Sequence, residues 1–414
     1  MRAKRVYLIA LLAIITVEAT AQNDSILVTG RDTVAYRYTP ITTSTTPKPQ
    51  KERKGWDKFV RYVIESGTDQ SFQKRVDMAF IPTLYYSPST SAGLVVMAAG
   101  RYRLDKKNRT IPASDFSIYA TASLTGFYRV GVKGNNIFRN DNQRIIYNAE
   151  FYSQPTSFWG VGFEAAMRND AIKYLSSRCI VEGKFLQRVI KDFYVGIGAD
   201  FNYHFGKYGG KYASQEALVE RLGDERLRYS ATGISLFVEF DTRDAISAPQ
   251  RGVYLALQGK IRPKSMGNVG KTLWCGRLSF DYYQRLWKGA VLAFDLRGEV
   301  NSKGTPWVYN ASIGGLQSMR GYYAGRFNDL CAVTMQAELR QRIYRRLGAV
   351  AWGGAGNVFS YNNFAWRNTL PTYGVGLRFE IKRYVNIRLD YGFGGKDSQG
   401  KLIHGAVFSL NEAF

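Results

Sequence analysis

The sequence predicts an all-β protein, a transmembrane antiparallel β-barrel of about sixteen strands. Tyr and Phe are abundant, at 28 and 24 residues, whereas Pro occurs only 11 times in 414 residues. This composition favours strands and tight turns over helices. From residue 76 onwards, apolar and polar side chains alternate with the spacing of a strand that has two unlike faces. Beyond the amino terminus, no apolar run reaches the roughly 18 residues that a membrane helix needs.

The alternation is clearest in residues 385–393, where the odd positions are apolar and the even ones are Asn, Arg, Asp and Gly. Residues 373–382 repeat the pattern, with Arg378 and Glu380 on the polar face. A soluble sandwich would alternate in the same way. Here, however, the polar face is charged on strand after strand, and the apolar bands have roughly the 9–11 residues of a tilted strand that crosses a bilayer. We therefore expect a polar lumen and a lipid-facing wall.

The number and spacing of these segments also indicate a barrel, because bacterial barrels have an even number of strands. The predicted strands are residues 77–87, 92–104, 115–125, 127–138, 143–154, 171–188, 192–206, 228–242, 252–262, 272–286, 290–303, 330–344, 347–358, 370–382, 385–396 and 403–413. Connections after even-numbered strands are mostly short, whereas those near 155–170, 207–227 and 304–329 are long. This asymmetry predicts short periplasmic turns, long extracellular loops and two periplasmic termini.

The amino-terminal residues differ from the rest of the chain. Residues 1–21 are typical of a secretory signal peptide, with a basic start, a short apolar core and a small-residue cleavage site. Residues 22–75 are predicted to be a periplasmic linker. Within them, residues 56–64 place apolar side chains at helical spacing, which indicates either a short amphipathic helix or a segment that orders only locally. The barrel is expected to occupy residues 76–414.

Charge and cysteine content limit the possible partners. A formal net charge of +24 usually suggests nucleic acid. In an exported barrel, however, basic residues meet lipid or lipopolysaccharide phosphates at the rims or pair with acids in the lumen, so no nucleic-acid partner is expected. Cys179, Cys275 and Cys331 are odd in number and far apart, so the sequence predicts no disulfide framework and no metal site. No cofactor is expected.

Three groups of residues carry a resemblance to a known family. Residues 314–322 have the sequence Gly-Gly-Leu-Gln-Ser-Met-Arg-Gly-Tyr and lie in the long loop after strand eleven. Residues 241–252 contain an Asp-x-Arg-Asp…Pro…Gly turn, and residues 338–340 and 388–392 lie in the closing strands. In this order they resemble the BamA/TamA outer-membrane assembly superfamily (the bacterial surface antigen barrels), most strongly over 230–414. The matching residues are Gly314, Gly315, Met319, Arg320, Gly321 and Tyr322 in the loop, and Asp241, Arg243, Asp244 and Gly252 in the turn.

The resemblance implies a sixteen-stranded barrel whose Arg320 loop folds back into the lumen and contacts acids on the inner wall. Glu338 is the expected partner, because it is predicted to face inward and a guanidinium in a narrow polar lumen needs a carboxylate. The alternative is that Arg320 is an ordinary exposed loop residue. A wider lumen network is expected of Arg340, Arg378, Arg388 and Asp390.

The chain departs from the family pattern in two ways. Gly354 stands where family members usually have an aspartate on strand thirteen, so Arg320 must rely on Glu338 or another acid. The POTRA repeats that precede the barrel in BamA and TamA do not fit into residues 22–75, so we expect a member that lacks POTRA domains. This departure puts recruitment of substrates through such domains in doubt.

The carboxyl terminus resembles the β-signal that assembly machineries read on outer-membrane proteins. Gly405, Phe408 and Leu410 have its Gly-x-x-apolar-x-apolar spacing, and Phe414 is the last residue of the sequence. The match is partial, because Ile403 occupies a position where a polar residue is expected. These residues are therefore predicted to form a C-terminal assembly signal.

The resemblance implies a barrel in the outer membrane of a Gram-negative bacterium that aids insertion or translocation of other proteins. It would act at a weak junction between its first and last strands, and Pro82 in the first strand would remove a ladder donor there. The expected partners are outer-membrane lipids and lipopolysaccharide, together with protein clients or an accessory periplasmic subunit. The alternative is a passive channel or a structural barrel without insertase activity.

An enzyme is not expected. The chain has only two histidines, His204 and His404, and it contains no Gly-x-Ser-x-Gly nucleophile elbow. His204 is predicted to face the lumen, where a histidine is usually a hydrogen-bonded wall residue. No catalytic residue is therefore predicted.

Overall fold

The structure, a computed structural model, describes residues 71–414 except for 73, 88–90, 107–110, 112, 223–226, 246–247, 383–384, 398 and 411. The predicted signal peptide (1–21) and amphipathic helix (56–64), and nearly all of the predicted linker (22–75), lie outside the described residues. The fold is therefore that of the predicted barrel region.

Sixteen strands form one antiparallel sheet that closes into a barrel, and two shorter strands form a separate hairpin. The predicted sixteen-stranded barrel is confirmed. The barrel strands are β1 (Asp77–Ser87), β2 (Ser91–Tyr102), β3 (Ser114–Ser123), β4 (Tyr128–Ile137), β5 (Gln143–Phe158), β6 (Ile172–Ile190), β7 (Phe193–Lys207), β8 (Arg228–Asp241), β9 (Gly252–Arg262), β10 (Leu273–Arg285), β11 (Ala290–Asn301), β14 (Cys331–Tyr344), β15 (Leu347–Phe359), β16 (Leu370–Lys382), β17 (Val385–Lys396) and β18 (Leu402–Leu410). The hairpin is β12 (Ala311–Ile313) and β13 (Phe327–Asp329), and it lies between β11 and β14.

The helices are short and lie in the connections between strands. The α-helices are α1 (Phe163–Arg168) and α2 (Gln215–Leu222), and the 3₁₀ helices are Arg139–Asp141, Trp307–Tyr309 and Trp366–Asn368. In the described part of the chain, no helix is long and apolar enough to cross a membrane.

The two faces of each strand differ as the sequence predicts. On β16, Tyr373, Val375 and Leu377 are exposed on the outer wall. The alternate residues Gly374, Gly376 and Arg378 are buried on the inner side. The apolar side chains of a barrel wall are stable when they face lipid, whereas the charged ones need the polar lumen. The outer surface is therefore apolar and the lumen is lined with charged and small residues.

The predicted last strand, 403–413, is wrong at its end, because β18 stops at Leu410. On β18, Phe408 pairs with the lipid-facing Leu389, so the even-numbered residues point outward. A continued strand would have turned the carboxylate of Glu412 towards lipid, which is costly. The chain instead leaves the sheet, and Glu412 is buried against Arg378.

Other differences lie in the connections. The hairpin β12–β13 and the helices α1 and α2 were not predicted, and β5 extends to Phe158 rather than 154. Long connections follow β5, β7 and β11, as expected. At the opposite end most turns are short, as predicted, and the exceptions are the connections at 103–113 and 242–251.

The junction between the first and last strands is much weaker than the others. Among the described residues, β1 and β18 are paired at one position, where Tyr86 lies opposite Phe408. In contrast, β1 pairs with β2 along its whole length, and this ladder includes Pro82 opposite Val96. Proline has no N–H to donate to a neighbouring strand. We call this β1–β18 junction the seam.

The lipid-facing assignment of the outer wall can be tested at Leu236, which lies on β8 and is 65% exposed. We expect Leu236→Arg to lower the free energy of unfolding by about 2–4 kcal/mol, because it places a charge in hydrocarbon. Urea unfolding in phospholipid vesicles, followed by tryptophan fluorescence, measures this change. The control Leu236→Phe keeps the site apolar and should be nearly neutral. Equal stabilities of the two variants would contradict a lipid-facing position.

Candidate functional site

The long loop at 302–330 enters the lumen, and its tip contains the predicted family motif. Gly314, Gly315 and Gly321 have φ values of +99°, +115° and +107°, which favour glycine over residues with a side chain. Met319 also has a positive φ, +50°. These residues turn the chain sharply, so that Arg320 is presented to the inner wall.

Arg320 is completely buried, and its guanidinium lies between two carboxylates. Nη2 donates to Oε2 of Glu338 on β14 at 2.7 Å, and Nη1 donates to Oδ2 of Asp390 on β17 at 2.7 Å. All three side chains are 0% exposed. Charge-assisted bonds of this kind are strong, and in a buried site each charge depends on the others. The loop tip is therefore fixed to two strands at once.

Trp352 on β15 covers the flat face of the same guanidinium, with 3.7 Å between the Arg320 Cζ and the ring centroid. Gly354, two residues further along β15, occupies the position where the family usually has an aspartate. A side chain there would collide with the backbone of β14. Asp390 and Trp352 thus contact Arg320 in its place. Sequence reasoning placed Asp390 in the lumen network but did not identify it as a partner of Arg320, and it missed Trp352.

The inner face of β17 is shaped to receive the loop. A Cβ on Gly392 would lie 2.5 Å from the carbonyl oxygen of Arg320, so only glycine fits. That carbonyl accepts a hydrogen bond from Oγ1 of Thr372 at 2.8 Å. The hydroxyl of Tyr322 donates to the carbonyl of Pro371 at 2.7 Å and accepts from the N–H of Gly395. The loop is therefore held through its backbone as well as through Arg320.

The other predicted lumen residues extend this cluster. Arg340 bonds Glu338 at 2.7 Å, and Arg378 bonds Asp390. Arg388 donates to the carbonyl of Leu316 in the loop at 2.6 Å and lies 3.6 Å from Asp390. The structure thus brings Arg340, Arg378, Arg388 and Asp390 into one buried network with Arg320 and Glu338.

The residues after β18 join the same network. Glu412 is bonded by Arg378 at 2.7 Å and by the side-chain amide of Asn386 at 2.6 Å. Burial alone would raise the pKa of Glu412, but the neighbouring Arg340 and Arg378 outweigh it and lower the pKa. Arg340 also donates to the main-chain oxygen of Phe414 at 2.8 Å. We refer to residues 411–414 as the tail.

The predicted assembly-signal residues occupy different environments. Gly405 pairs with Gly392, Phe408 with Leu389, and Leu410 with Ile387, all on the β17–β18 ladder. Phe414 does not lie in the strand, and its ring is 5.2 Å from the Arg340 guanidinium. The predicted signal residues are therefore divided between β18 and the tail.

The predicted turn motif joins β8 to β9, away from the loop tip. Asp241 accepts from Nε of Arg243 at 2.9 Å, and Asp244 accepts from the backbone N–H of Gln250 at 2.9 Å. Gly252 has a φ of +112°, so the residue after the turn requires glycine. These contacts are all local, and the turn motif shapes the connection rather than the Arg320 cluster.

The loop crosses the lumen between two distant walls. Near its start, Arg178 on β6 donates to the carbonyl of Val308 at 2.7 Å, and Tyr309 donates to the carbonyl of Asn202 on β7. Its tip is bonded to β14 and β17 through Arg320. Since β6 and β7 lie far around the barrel from β14 and β17, the loop bridges the lumen.

His204 and the three cysteines have the following surroundings in the structure. His204 is buried on β7, where Nε2 lies 3.1 Å from the Ser176 hydroxyl and the ring packs edge-on against Trp307. The three cysteines are unpaired. Within the described ranges, no group of three or more His, Cys, Asp or Glu side chains could hold a metal ion.

Comparison with known proteins identifies the family. A family model described as the Omp85 superfamily domain matches residues 128–414. The chain belongs to the Omp85 superfamily. No curated protein matches it. The predicted BamA/TamA-like resemblance is confirmed, and Omp85 barrels are bacterial outer-membrane proteins.

Solved structures with the same fold are only 10–13% identical to this Omp85 chain, so they support the fold alone. BamA from Haemophilus ducreyi lacking POTRA domains 1–3 has 10% identity and a TM-score of 0.52, and the match covers 86% of this chain and 81% of that one. CdiB from Acinetobacter baumannii has 13% identity and a TM-score of 0.54, covering 82% and 60%. CdiB from Escherichia coli has 11% identity and a TM-score of 0.58, covering 82% and 63%. The chain thus spans less than two thirds of either CdiB chain.

The role of Arg320 in holding the loop leads to a stability prediction. We expect Arg320→Ala to lower the free energy of unfolding by about 3–5 kcal/mol, because Glu338 and Asp390 would remain buried without their cation. The stability of Arg320→Lys should lie between those of the wild-type protein and Arg320→Ala, since an ammonium cannot form both arms of the guanidinium fork. Denaturant unfolding of the three proteins in vesicles measures the difference. An unchanged Arg320→Ala protein would show that the loop is held by its backbone contacts alone.

Proposed function

We propose that this Omp85 barrel aids insertion or translocation of other proteins at the outer membrane, and that it acts at the seam. The observation that carries the proposal is that, among the described residues, β1 and β18 pair at one position, Tyr86 opposite Phe408. In this proposal the short turns and both termini lie in the periplasm, and the long loops are extracellular. The fold similarity to BamA and to CdiB supports the assignment.

A weak seam has a chemical consequence in a membrane. Unpaired N–H and C=O groups on β1 and β18 cannot bond to water in hydrocarbon, and each costs several kcal/mol. A strand of an unfolded client can satisfy these groups by adding to either edge. Pro82 removes one donor from β1, which weakens direct closure further. Exposed edges at the seam would thus favour binding of a client strand.

The tail supplies a link between the seam and the Arg320 cluster. Glu412 follows β18 directly, and it is held by Arg378, which also bonds Asp390, a partner of Arg320. Displacement of the carboxyl end of β18 as the seam opens would pull Glu412 out of this network. The cost of losing a buried ion pair would then keep the carboxyl end of β18 in place until a client strand compensates.

The partners follow from this proposal. Clients would be other outer-membrane or translocated proteins, and an accessory periplasmic subunit would deliver them. Outer-membrane lipids would surround the apolar wall, and lipopolysaccharide phosphates would meet the basic extracellular loops. No step in this function needs bond chemistry, so the proposal includes no enzyme activity.

A disulfide across the seam tests the proposal. We expect the oxidised Tyr86→Cys/Phe408→Cys barrel, with the three native cysteines replaced by serine, to lose client insertion. Directly opposed residues of an antiparallel pair are close enough for such a bond. The measurement is folding of a urea-denatured barrel protein into vesicles that contain the variant, followed by heat-modified gel mobility. The rate should fall to that of empty vesicles and return after reduction.

The matched control is a disulfide within a complete ladder, between Leu94→Cys on β2 and Ala122→Cys on β3, which are directly opposed. This variant should insert clients at the same rate whether oxidised or reduced. Full activity of the oxidised seam variant would contradict gating at the seam. Inactivity of the unmodified protein itself would contradict the insertion function.

A passive channel is the alternative, and the filled lumen argues against it. The loop bridges the lumen and buries Arg320 against the wall, and the inward charges are largely paired. We expect low conductance of the wild-type barrel in planar bilayers, and an increase of several-fold in Arg320→Ala as the loop detaches. Lys211→Ala, in the connection between β7 and β8, should leave the conductance unchanged. A large steady conductance that Arg320→Ala does not alter would support the channel.

A further inference from the structure

One four-residue pattern occurs three times where a strand reaches a short turn. It is Arg, two apolar residues and a basic residue: Arg-Val-Ile-Lys at 188–191, Arg-Leu-Trp-Lys at 285–288 and Arg-Ile-Tyr-Arg at 342–345. The patterns lie at the ends of β6, β10 and β14. We call them the short-turn motifs. Neither the fold nor the proposed insertion at the seam requires such a repetition.

The first arginine of each motif bonds a side chain on a neighbouring strand or turn. Arg188 donates to Asn142 in the β4–β5 connection, and Arg285 donates to Gln250 in the β8–β9 connection. These bonds position the remaining residues of each motif at the rim.

The third motif is held in the same way. Arg342 donates to Glu380 on β16 at 3.0 Å. Its backbone N–H also donates to the carbonyl of Gly289 at 2.7 Å, and Trp287 Nε1 donates to Gln341 at 2.9 Å. The second and third motifs are therefore adjacent and form one continuous patch on the rim.

The last basic residue of the first two motifs is not used within the barrel. Lys191 and Lys288 are exposed, and neither side chain has a hydrogen bond or ion pair with any residue in the described part of the chain. Two neighbouring acids are already engaged, because Asp141 bonds Arg144 and Asp241 bonds Arg243. A third acid, Asp192, follows Lys191 directly in the sequence. The rim therefore presents the ammonium groups of Lys191 and Lys288 without an ion pair among the described residues.

The apolar pairs between the basic residues are exposed at this rim. Val189 and Ile190 are 58% and 66% exposed, and the corresponding residues of the other two motifs are exposed as well. Around the first motif there is a cavity of about 570 Å³, lined by residues 187–191 and Asn142. Each motif thus combines an apolar surface with a cation beside it, and the first also has a recess.

We infer that the short-turn motifs bind the phosphate headgroups of anionic phospholipids. The apolar pair lies in the hydrocarbon at the membrane interface, and the following Lys or Arg contacts the phosphate. Charge complementarity selects anionic over zwitterionic lipids, because a net negative headgroup offsets the rim charge. The inference depends on the proposed function only for the leaflet, which is the periplasmic one if the short turns face the periplasm.

Lipid titration of the full-length barrel tests this inference. The folded protein in zwitterionic micelles is titrated with phosphatidylglycerol or phosphatidylcholine, and the thermal unfolding midpoint is recorded. We expect phosphatidylglycerol to raise the midpoint more than phosphatidylcholine. In Lys191→Glu/Lys288→Glu, the phosphatidylglycerol concentration for half the effect should increase about tenfold or more. The milder variant Lys191→Gln/Lys288→Gln should show a smaller increase in this concentration. It keeps the test usable if the charge-reversed variant does not fold.

The control variant is Lys211→Glu/Lys271→Glu, which makes the same charge change in connections at the long-loop end. It should keep the phosphatidylglycerol response. Equal responses to the two lipids, or an unchanged response in both short-turn variants, would overturn the inference. Inorganic phosphate forms a separate arm, and reproduction of the shift by phosphate alone would assign the rim to free anions instead. Normal client insertion by the short-turn variants would separate this result from the seam function.

Discussion

The buried guanidinium of Arg320 is the interaction on which the lumen depends. A cation without water needs full compensation, and here Glu338 and Asp390 supply it from two different strands. The loop tip must therefore reach both strands at once, which fixes its path across the lumen. The close approach in turn requires glycine at position 392, because any side chain would collide with the Arg320 carbonyl. One ion-pair cluster thus determines the loop conformation and the small-residue face of β17.

Much of the barrel could be predicted from sequence because its two solvents are so different. A residue on a strand faces either lipid or a polar lumen, so simple alternation gives strand positions and side-chain directions. The lateral distances between strands are not encoded in that way. Asp390 was recognisable as inward, but its contact with Arg320 depends on the stagger of β17 against β14. Trp352 was missed for the same reason, since nothing in a Trp-Gly-Gly run indicates a cation above the ring.

The errors at the carboxyl end and in the loops have different physical origins. Alternation continues formally to residue 413, but it would put the charge of Glu412 into lipid, and the preference of that carboxylate for Arg378 ends the strand earlier. The six-residue α1 is too short to be stable alone. It forms because it packs on the loop that crosses the lumen, where Gly162 bonds Asn328 and Phe163 contacts Phe327. Such elements depend on tertiary contacts that a local pattern does not contain.

The strand pairing is uneven around the barrel, and this unevenness is what relates the structure to the function proposed at the seam. A barrel that opens laterally must be weak at one junction and rigid elsewhere, or it would unfold instead of opening. Here the strands β14 to β17 are joined by full ladders and by the Arg320 cluster, whereas β1 and β18 share one paired position among the residues that the structure describes. Glu412 in the tail links these two regions, because its side chain bonds Arg378 of the Arg320 cluster while its backbone follows β18. In the proposed function, opening at β1–β18 disturbs the contacts of Glu412, whereas the bonds of Arg320 to Glu338 and Asp390 can remain intact.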